Sequence, residues 1–399
     1  MVLELLAAIL IGMGFGVFTG LTPGIHVNLV AATLLAVSPS LLAIASPLSL
    51  CTFIMSLAVT HSFLDTLPST FLGAPDSEEA MSVLPAQKLL LKGEAHQAVM
   101  LSVTGAYAGL LLAIMLIPAF IIVAPLIAEW LKPWLKYLLP AIAAYVLLKE
   151  KEKFWCAALF LLSGTLGVIV FAIPTLKDPM FPLLSGLFGV SGLLLSFFEN
   201  TTIPEQEFES RISISPHELL KTLSASSLAV FLIQFFPGLG PAQGASISNQ
   251  VIRGIKDKAY LVLTGAIGTM SVVFSLVTFY TLGKAKDGSI VAMSKLLEIS
   301  TLSFAILALS FLAAGSLSVI ITLSLSRKFA GLIAKANYRL MAASIIIFII
   351  AMAGFLAGWI GLIVLATSTA VGLIAPLKNI PRSHAMGCLL LPVIIYLLA

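Results

Sequence analysis

The segment Leu110–Ile127, which reads LLLAIMLIPAFIIVAPLI, contains no charged side chain and decides the class of fold. The segment Ser344–Ile363, SIIIFIIAMAGFLAGWIGLI, has the same character. Apolar runs of about 20 residues are long enough to cross a bilayer as α-helices. Strands of a membrane barrel would instead alternate polar and apolar residues over segments of about ten positions. These segments therefore predict membrane-spanning helices.

The composition of the whole chain agrees with this prediction. Of the 399 residues, 59% are hydrophobic and only 10% are charged, and the mean hydropathy is +1.10. A soluble domain carries about 25% charged residues, so this composition excludes an ordinary soluble enzyme, a disordered chain and a nucleic-acid-binding protein. We predict an all-α, polytopic transmembrane helical bundle of about 10–12 membrane segments, some of them half-helices, in contact with membrane lipid in the cell membrane.

A polar stretch divides the chain into two membrane halves. Residues 199–218 are the most hydrophilic part of the sequence and predict an exposed connecting loop. The N-terminal half, residues 1–198, is interrupted at Pro23-Gly24, and the C-terminal half, residues 219–399, is interrupted from Pro237 to Pro241. Because the interruptions occupy matching positions, we predict two pseudo-symmetric halves related by an internal repeat.

The two Pro-Gly interruptions predict broken helices that bind an anion. Proline removes a helical hydrogen bond, and glycine permits backbone angles that end a helix. The freed backbone groups must lie inside the protein or face a watery cavity, because lipid cannot satisfy them. The N-terminus of a resumed half-helix offers N–H donors and a partial positive charge, which suit a carboxylate or a phosphate. The candidate substrate-binding residues are Thr22, Pro23, Gly24 and Asn28 at the first break, and Pro237, Gly238, Gly240, Gln243, Ser246 and Asn249 at the second.

Two ionisable side chains within an apolar run are candidates for ion or proton coupling. His61 and Asp65 occupy positions i and i+4, so they share one face of a helix. An ionisable residue inside a membrane segment indicates function by default. The alternative is that this segment ends near the membrane surface and that both side chains are solvated. His26, two residues after the first Pro-Gly, either contacts an anion or caps the break.

The sequence contains no pattern typical of a metal or cofactor site. The cysteines Cys51, Cys156 and Cys388 lie far apart in apolar runs and form no metal-binding pair, so we predict neither a metal nor a cofactor. No HExxH, GxSxG or Walker A motif is present, which disfavours an enzyme. Energy for transport would then come from an ion gradient or from a partner protein.

These observations favour a permease for a small organic anion. A lipid-linked phosphate carrier is an alternative, because helix N-termini hold phosphate equally well. An intramembrane enzyme using His26, His61 and Asp65 is a second alternative, and a membrane scaffold without a solute pathway is a third. Each break is also open to interpretation as a proline kink or a glycine packing notch.

Four passages of the chain resemble one family of membrane transporters. They are Gly20-Leu21-Thr22-Pro23-Gly24; Gly73-Ala74-Pro75 with Pro85-Ala86 and Lys92-Gly93-Glu94-Ala95; Phe236-Pro237-Gly238-Leu239-Gly240-Pro241; and Pro381-Arg382-Ser383-His384 with Leu391-Pro392. The whole chain resembles the large permease subunit of the tripartite tricarboxylate transporters, the TctA family, in a short version of the kind found in archaea.

This resemblance implies uptake of a di- or tricarboxylate, driven by an ion gradient. It also implies two protein partners, which are a small membrane subunit and an extracytoplasmic solute-binding protein. The sequence leaves the substrate, the coupling ion, the membrane orientation and the oligomeric state open.

Overall fold

The computed structural model describes residues 2–23, 25–73, 81–176, 178–198, 204–207, 212, 214–236, 240–251, 255–333 and 338–398. These residues form helices and short turns and include no strand, which confirms the predicted all-α polytopic bundle. The helices up to the polar connection are α1 Val2–Leu21, α2 Val27–Leu41, α3 Pro47–Leu64, α4 Val83–Leu90, α5 Ala95–Leu131, α6 Leu135–Lys149, α7 Lys153–Phe171, α8 Met180–Leu184 and α9 Ser191–Phe198.

The second part of the chain, after the polar connection, is also helical. They are α10 Pro216–Phe235, α11 Pro241–Val251, α12 Asp257–Leu282, α13 Gly288–Leu296, α14 Thr301–Ile333, α15 Tyr338–Gly372, α16 Ile374–Leu377 and α17 Gly387–Leu398. π-Helical turns cover Pro68–Leu72 and Ser185–Val190, and 3-10 turns cover Lys132–Trp134 and Arg382–Met386.

Eight of the described helical segments are long and apolar enough to cross a bilayer, and three shorter apolar segments accompany them. The shorter segments are Val27–Leu41, Met180–Leu195 and Arg382–Leu398. A multi-pass membrane protein with half-length helices therefore agrees with the sequence prediction.

Helix α15 folds back on itself at one glycine. Gly358 has φ 67° and ψ −164°, which no residue with a Cβ adopts easily. A β-carbon placed on Gly361 would lie 2.9 Å from the carbonyl oxygen of Ala353, eight residues earlier. Residues eight positions apart in a continuous helix would be about 12 Å apart along its axis. The chain therefore reverses at Gly358, inside the apolar run Ser344–Ile363, where the sequence predicts one uninterrupted helix.

Glycines on α1 allow it to lie against α3 at backbone distance. β-Carbons added to Gly12, Gly16 and Gly20 would come within 2.5 Å, 2.6 Å and 2.8 Å of atoms of Phe53, Thr60 and Leu64, respectively. The three glycines recur every four residues, so they form one stripe along the helix. Because lipid provides no hydrophobic drive for helix association, such small-residue stripes are a main source of packing in membranes.

The contact between α5 and α12 is of the same kind and joins the two parts of the chain. A β-carbon on Gly105 would collide with the carbonyl oxygen of Val262, and one on Gly265 would collide with that of Ser102. The hydroxyl of Thr269 donates to the carbonyl of Ala106 at 2.8 Å. The two helix backbones therefore touch without intervening side chains.

Hydrogen bonds attach residues 206 and 207 of the polar connection to the turn before α5 and to its first residue. Gly93 has φ 85°, and Glu207 donates its backbone N–H to the carbonyl of Gly93 at 2.8 Å. The side chain of Gln206 accepts from the N–H of Ala95 at 3.1 Å and donates to the carbonyl of Leu90 at 3.1 Å. This part of the predicted loop therefore caps the start of α5, and α10 begins at Pro216, within the predicted loop range.

The order of helix lengths repeats along the chain. Helices α1 and α10 each have 20 residues, and each is followed by a break and a shorter helix. Helices α4 and α13 have 8 and 9 residues, and the long helices α5 and α14 that follow have 37 and 33. The remaining helices, α6–α9 and α15–α17, do not correspond in length. The internal repeat, the division into two halves and their pseudo-symmetry stay predictions.

We expect Gly105→Ala to destabilise the protein, because the new methyl group must push the backbone of α12 away from α5. Overpacking of this kind costs about 1–3 kcal/mol. The matched control is Gly268→Ala in α12, where an added β-carbon meets no atom within 4 Å. The measurement is the thermal unfolding midpoint of both variants in detergent. Equal midpoints for the two variants would contradict the backbone contact.

Candidate functional site

The first predicted break is present. Helix α1 ends at Leu21 and α2 begins at Val27, so residues 22–26 interrupt the helix. The hydroxyl of Thr22 donates to the carbonyl of Phe18 at 2.8 Å, which ends α1 through a side-chain bond. Pro23 lies in the turn, and Gly24 lies outside the described residues.

His26 caps the resumed helix at this break. Its Nδ1 accepts from the backbone N–H of Asn28 at 3.1 Å, which satisfies one of the free donors at the start of α2. Of the two roles that the sequence leaves open for His26, the structure shows the cap. The Asn28 side chain packs against Gly288 at the start of α13, where a β-carbon would lie 2.6 Å from the Asn28 Cγ atom.

His61 and Asp65 lie beside this break and are buried rather than solvated. Their residues are 5% and 4% exposed. His61 Nδ1 lies 3.0 Å from the hydroxyl of Thr19, and the His26 and His61 rings have centroids 5.4 Å apart. Asp65 ends α3 and donates its backbone N–H to the carbonyl of His61 at 2.9 Å. One imidazole, that of His26, therefore lies in the break, and His61 and Asp65 lie beside it.

The second predicted break follows α10. Helix α10 ends at Phe235 and α11 begins at Pro241, while Pro237, Gly238 and Leu239 lie outside the described residues. The backbone N–H of Gly240, which the sequence predicts as an anion donor, donates to the side-chain oxygen Oε1 of Gln243 at 2.8 Å. Gln243 is buried and thus caps α11 from within its own first turn.

The other two candidates at this break lie further along α11. Ser246 is half-buried. Asn249 belongs to the helix, but its side chain lies outside the described part of the structure. A small cavity of about 50 Å³ lies between α10 and α11 and is lined mainly by apolar side chains, including Leu232, Ile233 and Ile247. The apolar lining of this cavity does not suit a carboxylate.

The structure adds one residue that the sequence does not single out. Lys286 lies in the turn between α12 and α13, two residues before the glycine that packs against Asn28. Its Nζ atom is excluded from solvent and has no hydrogen-bond partner among the residues the structure describes. Burial lowers the pKa of Lys286 to about 7, although the neighbouring Asp287 carboxylate opposes the shift.

Asp287 itself is engaged in capping. Its Oδ1 accepts from both the N–H and the hydroxyl of Ser289 at 2.9 Å, which fixes the start of α13. The sequence shows only a short polar turn here, and nothing in that pattern distinguishes the half-buried Lys286 from the exposed Lys284. The contact between α13 and α2 brings this turn to the first break.

The chain matches one family model along almost its whole length. Residues 6–387 match the model described as the tripartite tricarboxylate transporter TctA family. A relative from Methanocaldococcus jannaschii, named Uncharacterized protein MJ1079, is 29% identical over an alignment of 407 residues. The alignment covers 98% of each chain. No solved structure matches the chain.

The match covers both broken helices, the coupling candidates on α3 and the turn that carries Lys286. It therefore includes every described part of the site. The chain belongs to the tripartite tricarboxylate transporter TctA family.

Proposed function

We propose that the chain is a permease that moves a small organic anion of the di- or tricarboxylate class across the cell membrane, coupled to an ion gradient. One observation supports this most directly: a transporter-family chain contains two interrupted membrane helices, each resuming with a polar cap. Interrupted helices in corresponding positions are typical of transporter binding sites. The family also supports a small membrane subunit and an extracytoplasmic solute-binding protein as partners.

The proposed anion contacts the N-termini of α2 and α11. Both ends carry backbone N–H groups and the positive end of a helix dipole. At α11, the Gln243 oxygen already accepts the Gly240 N–H at 2.8 Å. A carboxylate oxygen of the substrate has the same acceptor chemistry. We propose that it displaces the Gln243 side chain when it binds.

Lys286 is the proposed counter-charge for the substrate. A buried ammonium group without a partner is unfavourable, because burial removes its hydration. An anion bound beside it would offset that cost and restore the charged form. The contact between Gly288, two residues later, and Asn28 supports the proposal that this cation acts near the N-terminus of α2. Substrate binding would thus use residues from both parts of the chain.

His61 and Asp65 are the proposed ion- or proton-coupling pair. Both are buried, and Thr19 holds the His61 ring through one nitrogen. A buried carboxyl group that binds a proton or a cation changes its charge during transport, and that change links the ion to the anion. Coupling to an ion gradient through this pair requires no ATP-binding motif in the chain.

We expect Asp65→Asn to abolish concentrative uptake while anion binding and exchange remain measurable. The amide keeps the size of the carboxyl group but cannot carry the coupling charge. The measurement is uptake of radiolabelled citrate and succinate into proteoliposomes with an imposed proton or sodium gradient. The proteoliposomes also contain the small membrane subunit and the solute-binding protein proposed as partners. Exchange is measured in the same vesicles without a gradient.

The matched control is Asp178→Asn, because Asp178 lies in the turn before α8 and outside the site. Normal concentrative uptake by Asp65→Asn would remove this residue from the coupling mechanism. Thermal stabilisation by phosphate but by no carboxylate would instead favour the phosphate-carrier alternative.

We expect anion affinity to rise as the pH falls through about 7, because Lys286 then becomes charged. The direction of this change follows from the lowered pKa of Lys286. Above that pKa, the free protein has lost the Lys286 proton, so anion binding must be accompanied by uptake of a proton. Below that pKa, the ammonium group is already present before the anion binds. A charge-assisted hydrogen bond is worth about 1.5–3 kcal/mol, so affinity should change by about 10- to 100-fold between pH 6 and pH 9.

The probe for this measurement is tartrate, whose two carboxylates stay ionised across that range. Binding is followed by calorimetry or thermal shift with the purified protein. Lys286→Gln should bind weakly and lose the pH dependence, whereas Lys284→Gln, in the same turn and exposed, should retain both. Equal pH profiles in the two variants would show that Lys286 does not contact the anion.

A further inference from the structure

A second polar cluster lies away from the breaks, where α7 meets the C-terminal segment. It consists of Glu150, in the turn between α6 and α7, Cys156 in the first turn of α7, and His384 in the 3-10 turn before α17. One imidazole nitrogen, the thiol sulfur and one carboxylate oxygen all lie within 4.8 Å of one another. The proposed transport function uses none of these residues.

Close helix packing holds the three residues together. A β-carbon on Gly387 would collide with the carbonyl oxygen of Phe160, and one on Gly167 would collide with that of Cys388, so α17 lies directly on α7. The hydroxyl of Ser163 is shared between the carbonyls of Phe160, at 3.2 Å, and His384, at 3.5 Å. His384 is thereby fixed against α7 by backbone contacts.

The 3-10 turn is also anchored on its other side. Arg382 Nη1 donates to the carbonyl of Phe188 at 3.1 Å, in the π-helical turn after α8. The turn that carries His384 is thus held between two helical layers. A site on so constrained a backbone is pre-organised, which is what a metal site requires.

The geometry between His384 and Glu150 fits two ligands of one ion. His384 Nε2 lies 3.3 Å from Glu150 Oε1. Yet this nitrogen makes no aligned hydrogen bond within the described part of the chain. Two atoms bound about 2.0–2.1 Å from one tetrahedral ion stand about 3.3–3.4 Å apart, with their lone pairs aimed at the ion rather than at each other.

The donor set selects the type of ion. A thiolate, an imidazole and a carboxylate together suit Zn²⁺ and similar divalent transition metals, whereas Mg²⁺ and Ca²⁺ require oxygen ligands. Three protein ligands leave a fourth tetrahedral position for water. Binding would displace the thiol proton of Cys156 to solvent, because the thiolate is the ligand.

The site has an entrance from the aqueous side. The Glu150 side chain is 26% exposed, whereas the His384 side chain is 1% exposed and Cys156 is fully buried. Lysines 149, 151 and 153 flank the entrance, but all three are exposed, and the Lys149 ammonium lies over the Tyr145 ring at 5.6 Å. Solvent therefore screens their repulsion of an incoming cation.

We infer that Glu150, Cys156 and His384 form a binding site for a zinc-type divalent metal ion, which fastens the start of α7 to the C-terminal segment. An ion bound only by the folded state stabilises that state in proportion to the logarithm of its concentration. The site would thus tie the last helix to the bundle. It does not depend on the proposed transport of an anion.

The test is metal binding by the purified full-length protein in detergent, after removal of adventitious metal with a chelator. Zinc stoichiometry is measured by equilibrium dialysis, and Co²⁺ is added as a spectroscopic probe. We expect one Zn²⁺ per chain, a rise in the thermal midpoint with zinc, and a thiolate-to-cobalt charge-transfer band.

Each ligand has a matched control in the chain. Cys156→Ser should lose the charge-transfer band, whereas Cys388→Ser, an equally buried cysteine, should keep it. Glu150→Gln should bind zinc at least about 10- to 100-fold more weakly, because even loss of an indirect partner costs that much. Glu152→Gln, exposed in the same turn, should bind normally.

Three results would overturn the inference. They are absence of tight zinc or cobalt binding by the unmodified protein, an unchanged charge-transfer band in Cys156→Ser, and equal zinc affinity in the Glu150 and Glu152 variants. The Glu150 variant keeps the proposal testable if a change at the buried Cys156 prevents folding. None of these measurements involves a transported anion, so they do not depend on the proposed function.

Discussion

The contact between the backbones of α5 and α12 is the constraint on which the rest of the molecule depends. Lipid is as apolar as a leucine side chain, so burying apolar surface gives these helices no drive to associate. Gly105 and Gly265 replace that drive with close van der Waals contact, and Thr269 adds a hydrogen bond to Ala106. At the ends of these helices, Lys258 forms an ion pair with Glu94 at 2.9 Å. Helices α10 and α14 pack against this pair.

This arrangement brings helices from both parts of the chain together at the first break. Helix α12 leads directly into the turn that carries Lys286, and α13 then packs against α2 and α3. Through these contacts, the start of α13 lies against Asn28 at the break of the first part. In the proposed function, the breaks would supply backbone N–H groups, and Lys286, His61 and Asp65 would supply the charges that a carboxylate and a coupling ion require.

The packing of α17 on α7 forms a second, independent centre of polar contacts. As between α5 and α12, glycines let the backbones of α7 and α17 touch. The consequence differs, since the close approach brings a thiol, an imidazole and a carboxyl group together near an aqueous entrance. Buried polar groups such as Cys156 and His384 need a partner, and the inferred metal ion would bind both of them together with Glu150.

The sequence by itself determined the helical class and the two interruptions, because apolar length and Pro-Gly pairs act locally. Both breaks occur where proline and glycine interrupt the apolar pattern. It also identified the family through short motifs along the chain. It assigned Gln243 and Gly240 to an anion, whereas in the structure they bond to each other. Only the tertiary structure decided that the Nζ atom of Lys286 is excluded from solvent while Lys284 is exposed, and that Glu150, Cys156 and His384 meet. The physical reason is that burial and convergence depend on which helices touch, and that depends on glycine contacts between residues far apart in the chain.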